Sequence, residues 1–379
     1  MLNLITLKVL SIFSGIGAFE FVFNLLKEFF NVEVVGYSEI DKYAIKTYEK
    51  NFPRIPNLGD AKKIITSKLK DFDILVGGFP CQDFSINGKR KGLEGNRGSL
   101  FFELLRILKD KKPKYFIFEN VKGLLSQNEG KDFQIILNEL ENAGYIVKYK
   151  VLNAKNFGLP QNRERVFIIG QRKDLGTFDL DIPTTNGNNK AILMDVLDDE
   201  VHEKYYKNQK RILGMYNSKF QSERVESQDK VCGCLMVGGS KKSIVLNKDK
   251  EFIKRFNNKK LNIHELNDLI IRQLTPNEYE RISGFPTGFT SGVSETQRYK
   301  QIGNSIAINV LFEVCKSLFQ FIKGNQKFDT KFINNVSNKS KQTNLERYKK
   351  GFNTKKEKYK NKVLSKLEES AFFEETNEF

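Results

Sequence analysis

The first half of this chain is constrained most by an alternation of short apolar runs, each ending in glycine or polar residues. "LKVLSIF" (7–13) is apolar and partly β-branched and stops at Ser14-Gly15, after which "GAFEFVFNLLKEFF" (17–30) carries apolar residues at helical spacing. "VEVVGYSEI" (32–40) predicts a second strand, and "DKYAIKTYEKNF" predicts a helix stopped by Pro53. "FDILVGGF" (72–79) and "KYFIFEN" (114–120) predict further buried strands, separated by the helical "SLFFELLRILKD" (99–110). "VKYKVLNA" (147–154) and "RVFIIGQ" (165–171) complete the series. Strands that are apolar throughout and alternate with helices predict an α/β fold, a parallel Rossmann-like sheet covered on both faces.

From about residue 185 the pattern breaks. Asn, Gly, Lys and Asp accumulate, and "KVCGCLMVGGSKKSIVL" predicts two short strands around a glycine turn. A helical signal returns only at "INVLFEVCKSLFQFI" (308–322). The expected organisation is a larger α/β domain over 1–184, completed by 296–323, and a smaller, irregular, β-rich domain with a hinge over 185–295. A flexible tail over 324–379, basic and then acidic, ends the chain.

Charge and cysteine usage narrow the partners. Lys and Arg number 63 against 46 Asp and Glu, a formal charge of +17, which points to a polyanion, nucleic acid before a membrane surface. The longest apolar stretch, near 19–30, is broken by Glu20, Asn24, Lys27 and Glu28, so no membrane span is expected. Cys81, Cys232, Cys234 and Cys315 show no repeated zinc-type pair, and His202 and His264 stand apart, so no metal is expected. So few cysteines, with no leader-like segment, predict a reducing, cytoplasmic setting.

Candidate chemistry gathers where the strands end. "FSGIGAFE" (13–20) is a glycine turn between a strand and a helix, where Gly15 and Gly17 let a ligand approach backbone N–H groups. Glu39 closes the second strand, where doubly wound folds hold ribose hydroxyls, and Asp60 lies near the end of a third strand within reach of an adenine amine. The third glycine of a dinucleotide fingerprint is replaced by Glu20, so the pocket suits S-adenosylmethionine better than NAD. Cys81 follows a strand and Pro80 and precedes polar Gln82 and Asp83, a loop able to carry chemistry rather than a core position. The next stretch, "SINGKRKGLEGNRGS" (85–99), reads as a basic lid that touches phosphates. Glu119 ends another strand, where burial raises a carboxyl pKa, and Arg163 and Arg165 enter a strand two residues apart, on one side. Such a pair can hold a carboxylate, a phosphate or a polar base edge.

The order of these elements strongly resembles the DNA (cytosine-5) methyltransferase family, in particular bacterial type II modification methylases. "FSGIGAFE", "YSEIDKYAIKTYEKNF", "GGFPCQDFS", "FENVKG", "LNAKNFGLPQNRERVF", "RQLTPNEYERISGFP" and "YKQIGNSIAINV" carry the resemblance, over roughly 9–175 and 271–312. It implies Cys81 as the nucleophile that adds to C6 of a flipped-out cytosine, Glu119 at N3 and N4, Arg165 at O2 and Arg163 beside the flipped nucleotide. It implies S-adenosylmethionine as methyl donor, S-adenosylhomocysteine as product, and a pocket of Phe13, Ser14, Gly15, Ile16, Gly17, Glu39, Ile40, Asp60, Ala61, Pro80, Asn304 and Ser305. Double-stranded DNA is the implied partner, with Ser85, Asn87, Lys89, Arg90, Arg97, Cys234, Gly238 and Gly239 as contacts. The 185–295 region corresponds to target recognition. A monomer working beside a restriction endonuclease of the same site is expected. Ser11 and Ala18 depart from the commoner Asp and Gly of the family pattern. A tRNA cytosine-5 methyltransferase, a catalytically idle DNA-binding regulator and an NAD-dependent enzyme are the competing readings.

Overall fold

A computed structural model describes residues 6–79, 100–187, 191–218, 225–235, 241–246, 248, 250–267 and 269–324. Its first half is built on β1 (Thr6–Ile12), α1 (Ala18–Leu26), β2 (Asn31–Ser38) and α2 (Lys42–Asn51). β3 (Ile74–Gly78), α3 (Leu100–Lys111), β4 (Tyr115–Val121), α4 (Lys131–Asn142) and β5 (Tyr145–Asn153) follow. The two-residue β6 (Gln161–Asn162) and β7 (Glu164–Arg172) end this half. Six strands form one sheet in the order β2-β1-β3-β4-β7-β5. The α/β class is therefore as the sequence predicts.

One expectation is corrected. The sheet is mixed, because β7 runs antiparallel to both β4 and β5. Residues 154–163, between β5 and β7, are too few for the crossover helix that a parallel connection needs, so the chain turns straight back. Both faces are covered. Leu10, Ile12, Leu75, Phe116, Phe118 and Ile168 pack with Leu104 and Leu108 of α3 and Ile136 and Leu140 of α4 in one cluster. Their strand neighbours Val9, Ile74, Val76, Ile117 and Ile169, which point to the opposite face, are fully buried as well. Each such apolar side chain contributes roughly 1.5–3 kcal/mol of burial. The outer edge at β5 is blunted by lysines. Lys148 donates to the Leu180 carbonyl at 3.0 Å and Lys150 to that of Ile182, so the irregular segment around 180–182 lies along it.

A second correction concerns residues 52–73. The third strand expected before Asp60 is absent among the described residues. The chain there makes an isolated bridge from Asn57 to Tyr37, then turns at Gly59 (φ 73°) into a short 3-10 turn, Ala61–Lys63, which Asp60 caps.

The remaining elements are α5 (Gln209–Asn217), β8 (Val225–Ser227), β9 (Cys232–Gly233), β10 (Ser243–Val245), α6 (Lys250–Asn257), α7 (Ile263–Asn267) and β11 (Ile271–Gln273). α8 (Pro276–Ile282), α9 (Glu295–Asn304) and α10 (Ile308–Ile322) close the fold. The two strands predicted around a glycine turn exist as β9 and β10, but they do not pair with each other. β9 pairs with β6, while β10 pairs with β8 and β11.

The described residues fall into two compact units. One comprises those within Met1–Ala191, Val231–Lys241 and Thr275–Phe328, the other those within Ile192–Lys230 and Lys242–Leu274. The second unit has its own core, where Ile212 and Met215 meet Val225, Val245, Ile253, Phe256 and Ile271. It carries α5, α6 and α7 beside the short strands β8, β10 and β11, so helix is as prominent as strand.

In the first unit α9 and α10 return to the sheet. α9 is fastened to α2, because Thr47 Oγ1 donates to Gln301 Oε1 at 3.0 Å and Gln301 Nε2 to the Tyr43 carbonyl at 2.7 Å. α10 lies against α1, with the rings of Phe23 and Phe319 stacked at 5.9 Å. These contacts carry Asn304 and Ser305 to the carboxyl ends of the strands.

Candidate active site

The carboxyl end of β4 and the start of β7 bring an acid and a base together. Glu119 is paired with Phe167 and Val121 with Arg165, so Glu119 and Arg165 are diagonal neighbours on one face. The Arg165 Nε lies 3.1 Å from Glu119 Oε1. Arg165 Nη1 donates to the Glu164 carbonyl at 2.7 Å. Burial pushes the Glu119 carboxyl above the usual carboxylate range, and Arg165 and Arg163 counter this only in part. A carboxyl held this way keeps a proton to higher pH than an exposed one. Gly78 opposes Glu119 in the parallel pair, and a Cβ there would come within 3.3 Å of Glu119 Oε2. The glycine leaves that carboxyl its room.

Arg163 points elsewhere. It is 4% exposed, and Nη2 donates to the carbonyls of Gly303 at 3.0 Å and Ser305 at 2.6 Å. Its Nη1 donates to the Leu235 carbonyl at 3.2 Å and meets the Cys234 sulfur at 3.4 Å. One guanidinium thus ties the entry to β7, the segment after β9 and the turn after α9. Burial pulls its pKa below the ordinary arginine value, and Arg165 adds to the effect. Gln161, fully buried, supports the same junction by accepting from the Leu235 N–H at 3.4 Å.

Asn120 is a residue that the sequence reading passed over. Its Nδ2 donates to the Phe79 carbonyl at 2.9 Å, and its Oδ1 accepts from Val121 N at 2.8 Å. The chain is therefore pinned two residues before Cys81. A polar pair, Glu119-Asn120, at the end of an apolar strand was the signal that could have found it. Pro80, Cys81, Ser85, Asn87, Lys89, Arg90 and Arg97 lie outside the described residues, as do Gly238 and Gly239.

At the carboxyl ends of β1 and β2 a second constellation forms. Phe13 leaves β1 at φ 55° and packs, half-buried, against the main core cluster. Gly15 and Gly17 turn the chain at φ 58° and 87°. A Cβ on Gly17 would lie 2.4 Å from the Phe52 ring, so only glycine fits there. Ile16 is buried beneath the turn, and Ser14 N is held by the Ser38 carbonyl at 3.1 Å. Glu39 Oε2 accepts from Gly15 N at 2.9 Å, and Oε1 from Ile40 N and Asp41 N at 2.8 Å each. Of its four lone-pair directions one is left for a further donor. Ile40 is 72% exposed beside it, an apolar platform at the mouth of the turn.

Asn57, also missed in the sequence, holds the opposite wall. It accepts from Gly59 N at 2.9 Å and donates to the Glu39 carbonyl at 3.2 Å. Asp60 Oδ1 accepts from Lys62 N at 3.0 Å, and Arg106 grips the carbonyls of Ala61 and Ile64 at 3.0 Å each. Asn304 is exposed at the end of α9, and Ser305 is half-buried. A glycine turn open at Gly15, a carboxylate with one free direction, an exposed apolar platform and a second carboxylate match the needs of a nucleoside bearing an amino-acid arm. S-adenosylmethionine fits this donor set.

The chain is similar to known proteins along most of its length. A family described as C-5 cytosine-specific DNA methylase matches residues 7–320. The type II methyltransferase M1.ScrFI of Lactococcus lactis subsp. cremoris is 36% identical over 327 residues, 84% of this chain and 80% of that protein. The type II methyltransferase M.HpaII of Haemophilus parainfluenzae is 35% identical over 329 residues, 82% of this chain and 88% of that protein. Among solved structures, a DNMT2 variant from Spodoptera frugiperda shares the fold with a TM-score of 0.66 at 22% identity, over 82% of this chain and 99% of that one.

Proposed function

This chain belongs to the C-5 cytosine-specific DNA methylase family, and from that premise we propose how its residues carry the reaction. The protein is a DNA cytosine-5 methyltransferase. Its methyl donor is S-adenosylmethionine, held at the Ser14–Gly17 turn with Glu39 at the ribose, Asp60 at the adenine amine and Ile40 against the ring. When bound, that donor supplies an electrophilic methyl on a sulfonium.

The rest falls to the chain. Cytosine C5 is a weak nucleophile, so Cys81 adds as a thiolate to C6 and turns the ring into an enamine. Glu119 hydrogen-bonds or protonates N3 as C6 is attacked, a role suited to a carboxyl whose proton is held by burial. Arg165, kept beside Glu119, offers its remaining N–H groups to O2, where negative charge develops. Arg163 acts through others, by holding Leu235, Gly303 and Ser305 in register. After methyl transfer a base removes the C5 proton and the Cys81–C6 bond breaks, which restores the ring and the thiol.

A base in a duplex cannot reach such a site, so the target cytosine is flipped out. The basic stretch 85–99 closes over it, and the second unit reads the flanking sequence. The likeness to type II enzymes supports a role in protecting host DNA beside an endonuclease of the same site, in the cytoplasm. The observation that carries this reading is the close Glu119–Arg165 pair at the carboxyl end of β4, beside the strand that leads in sequence to Cys81. Base-resolved 5-methylcytosine mapping of DNA from cells expressing the protein tests it. Methylation of one short motif, lost with Cys81→Ser, is expected. Unmarked DNA with modified tRNA would overturn the DNA assignment.

A further inference from the structure

One buried group is not used by the chemistry above. Glu20 is 2% exposed in the first turn of α1, three residues after Gly17. Both of its carboxylate oxygens, with Ser11 Oγ, Tyr37 Oη and Tyr48 Oη, are buried and reach no hydrogen-bond partner among the described residues. The rings of Tyr37 and Tyr48 stack at 3.6 Å, and the Tyr48 ring would lie 3.1 Å from a Cβ on Gly17. The cluster therefore sits directly under the glycine turn. α1 begins there with no side-chain cap, so its N-terminal N–H groups and the positive end of its dipole face the turn.

That field is wrong for a cation, and the methyl donor is one. A helix N-terminus repels a sulfonium, while a carboxylate in the same turn, leaning towards the N-terminus as helical side chains do, reverses the sign. We propose that Glu20 is a positioning residue whose buried carboxylate makes the turn favour the cationic sulfonium of S-adenosylmethionine over the neutral thioether of S-adenosylhomocysteine. The inference rests on the cofactor reading of the turn. Its consequence is selective release of product, because the two ligands differ in charge only at the sulfur that gives up the methyl.

The surroundings leave Glu20 free to act this way. The groups that act on it are Ser11 on β1, Tyr48 on α2 and its own backbone. Tyr37 on β2 stands against Tyr48, and the acids that bear on Tyr37 are Glu49, Glu39 and Glu20. On α10, across from α1, Cys315 is buried, and Glu313 and Lys316 pair with each other at 3.2 Å. None of these cancels the carboxylate with a cation. Burial, eased slightly by the hydroxyls, pushes the Glu20 carboxyl up to about 6, so its charge appears as the pH passes that value.

Calorimetric binding of the two ligands to the full chain tests the idea without turnover. Between about pH 5 and about pH 7.5 the preference of the wild-type protein for S-adenosylmethionine over S-adenosylhomocysteine is expected to rise about tenfold. With Glu20→Gln the preference stays flat, S-adenosylmethionine binds about tenfold more weakly at the higher pH, and S-adenosylhomocysteine stays within about twofold. A wild-type preference that ignores pH while both ligands bind overturns the inference and leaves the cofactor reading standing. Equal loss of both ligands in a folded Glu20→Gln protein also overturns it, since that marks a role in shape rather than charge. If the wild-type chain binds neither ligand, the cofactor reading itself fails.

Discussion

Glu119, at the end of β4, and Glu20, just after β1, are both buried glutamates at the carboxyl edge of one sheet, and their surroundings differ. Glu119 has the Arg165 guanidinium at 3.1 Å, with Arg163 also acting on it. Glu20 has two hydroxyls and its own backbone. Burial raises both carboxyls, but only Glu119 sits beside a donor that can share a substrate with it. The contrast teaches that a buried acid works by contact where a partner aligns it, and by field where nothing does. Arg163 is a third case, a buried charge that serves as a bracket between backbone carbonyls.

The sharpest way to break this contrast is Glu119→Gln. Removing the acid is expected to lower kcat by about 10²–10³, with KM for the methyl donor little changed, in a methyl-transfer assay. Because Glu119 acts protonated, wild-type kcat falls as the pH rises through its raised pKa. A Glu119→Gln profile that kept this limb would assign it to another group. Arg163→Lys is expected to act on folding instead, lowering the unfolding free energy by about 2–4 kcal/mol in a denaturant titration. Unchanged stability would mean that the buried carbonyls do not depend on the bracket.

Glu20→Gln should move stability in the opposite direction. Burial pushes its carboxyl up to about 6, above the ordinary glutamate value, so the folded state holds the proton more tightly. The relative stability this confers is full below the unfolded value and is lost as pH rises through the folded one. The Gln variant, which carries no charge to bury, should therefore gain roughly 2 kcal/mol over wild type above pH 7 and match it in acid. A variant no more stable than wild type at neutral pH would show that Glu20 is already solvated or paired.

How much of this was legible beforehand can be argued from single elements. β1 to β4 and α1 to α3 were legible because their apolar runs are long and bounded by glycine, proline or caps such as Asp41, which accepts from Tyr43 N and Ala44 N. The direction of β7 was not, since an apolar run buried on both faces reads alike in either direction. Only the short link at 154–163 hinted at it. Asp60 reads in the sequence as the end of a strand, whereas Gly59 turns the chain there and Asp60 caps a short 3-10 turn.

Within the site, residue types were easier to read than their wiring. Glu119 and Arg165 emerge from strand ends, where a polar residue after an apolar run stands out. Asn120, Asn57 and the bracket on Arg163 join residues up to 142 positions apart, and no local pattern encodes such convergence. Glu20 looked like a failed glycine in a nucleotide fingerprint. Its place among Ser11, Tyr37 and Tyr48 emerges only when four elements are folded together.

The most direct test of the central claim is covalent capture on a duplex carrying 5-fluorocytosine at the mapped target. Fluorine at C5 cannot leave as the proton does, so the bond from Cys81 to C6 persists after methyl transfer. With S-adenosylmethionine present, the wild-type protein should yield a denaturation-resistant protein–DNA adduct whose modified peptide contains Cys81. Cys81→Ser should yield none. An adduct mapped to any other residue, or one that survives loss of the thiol, would contradict the account.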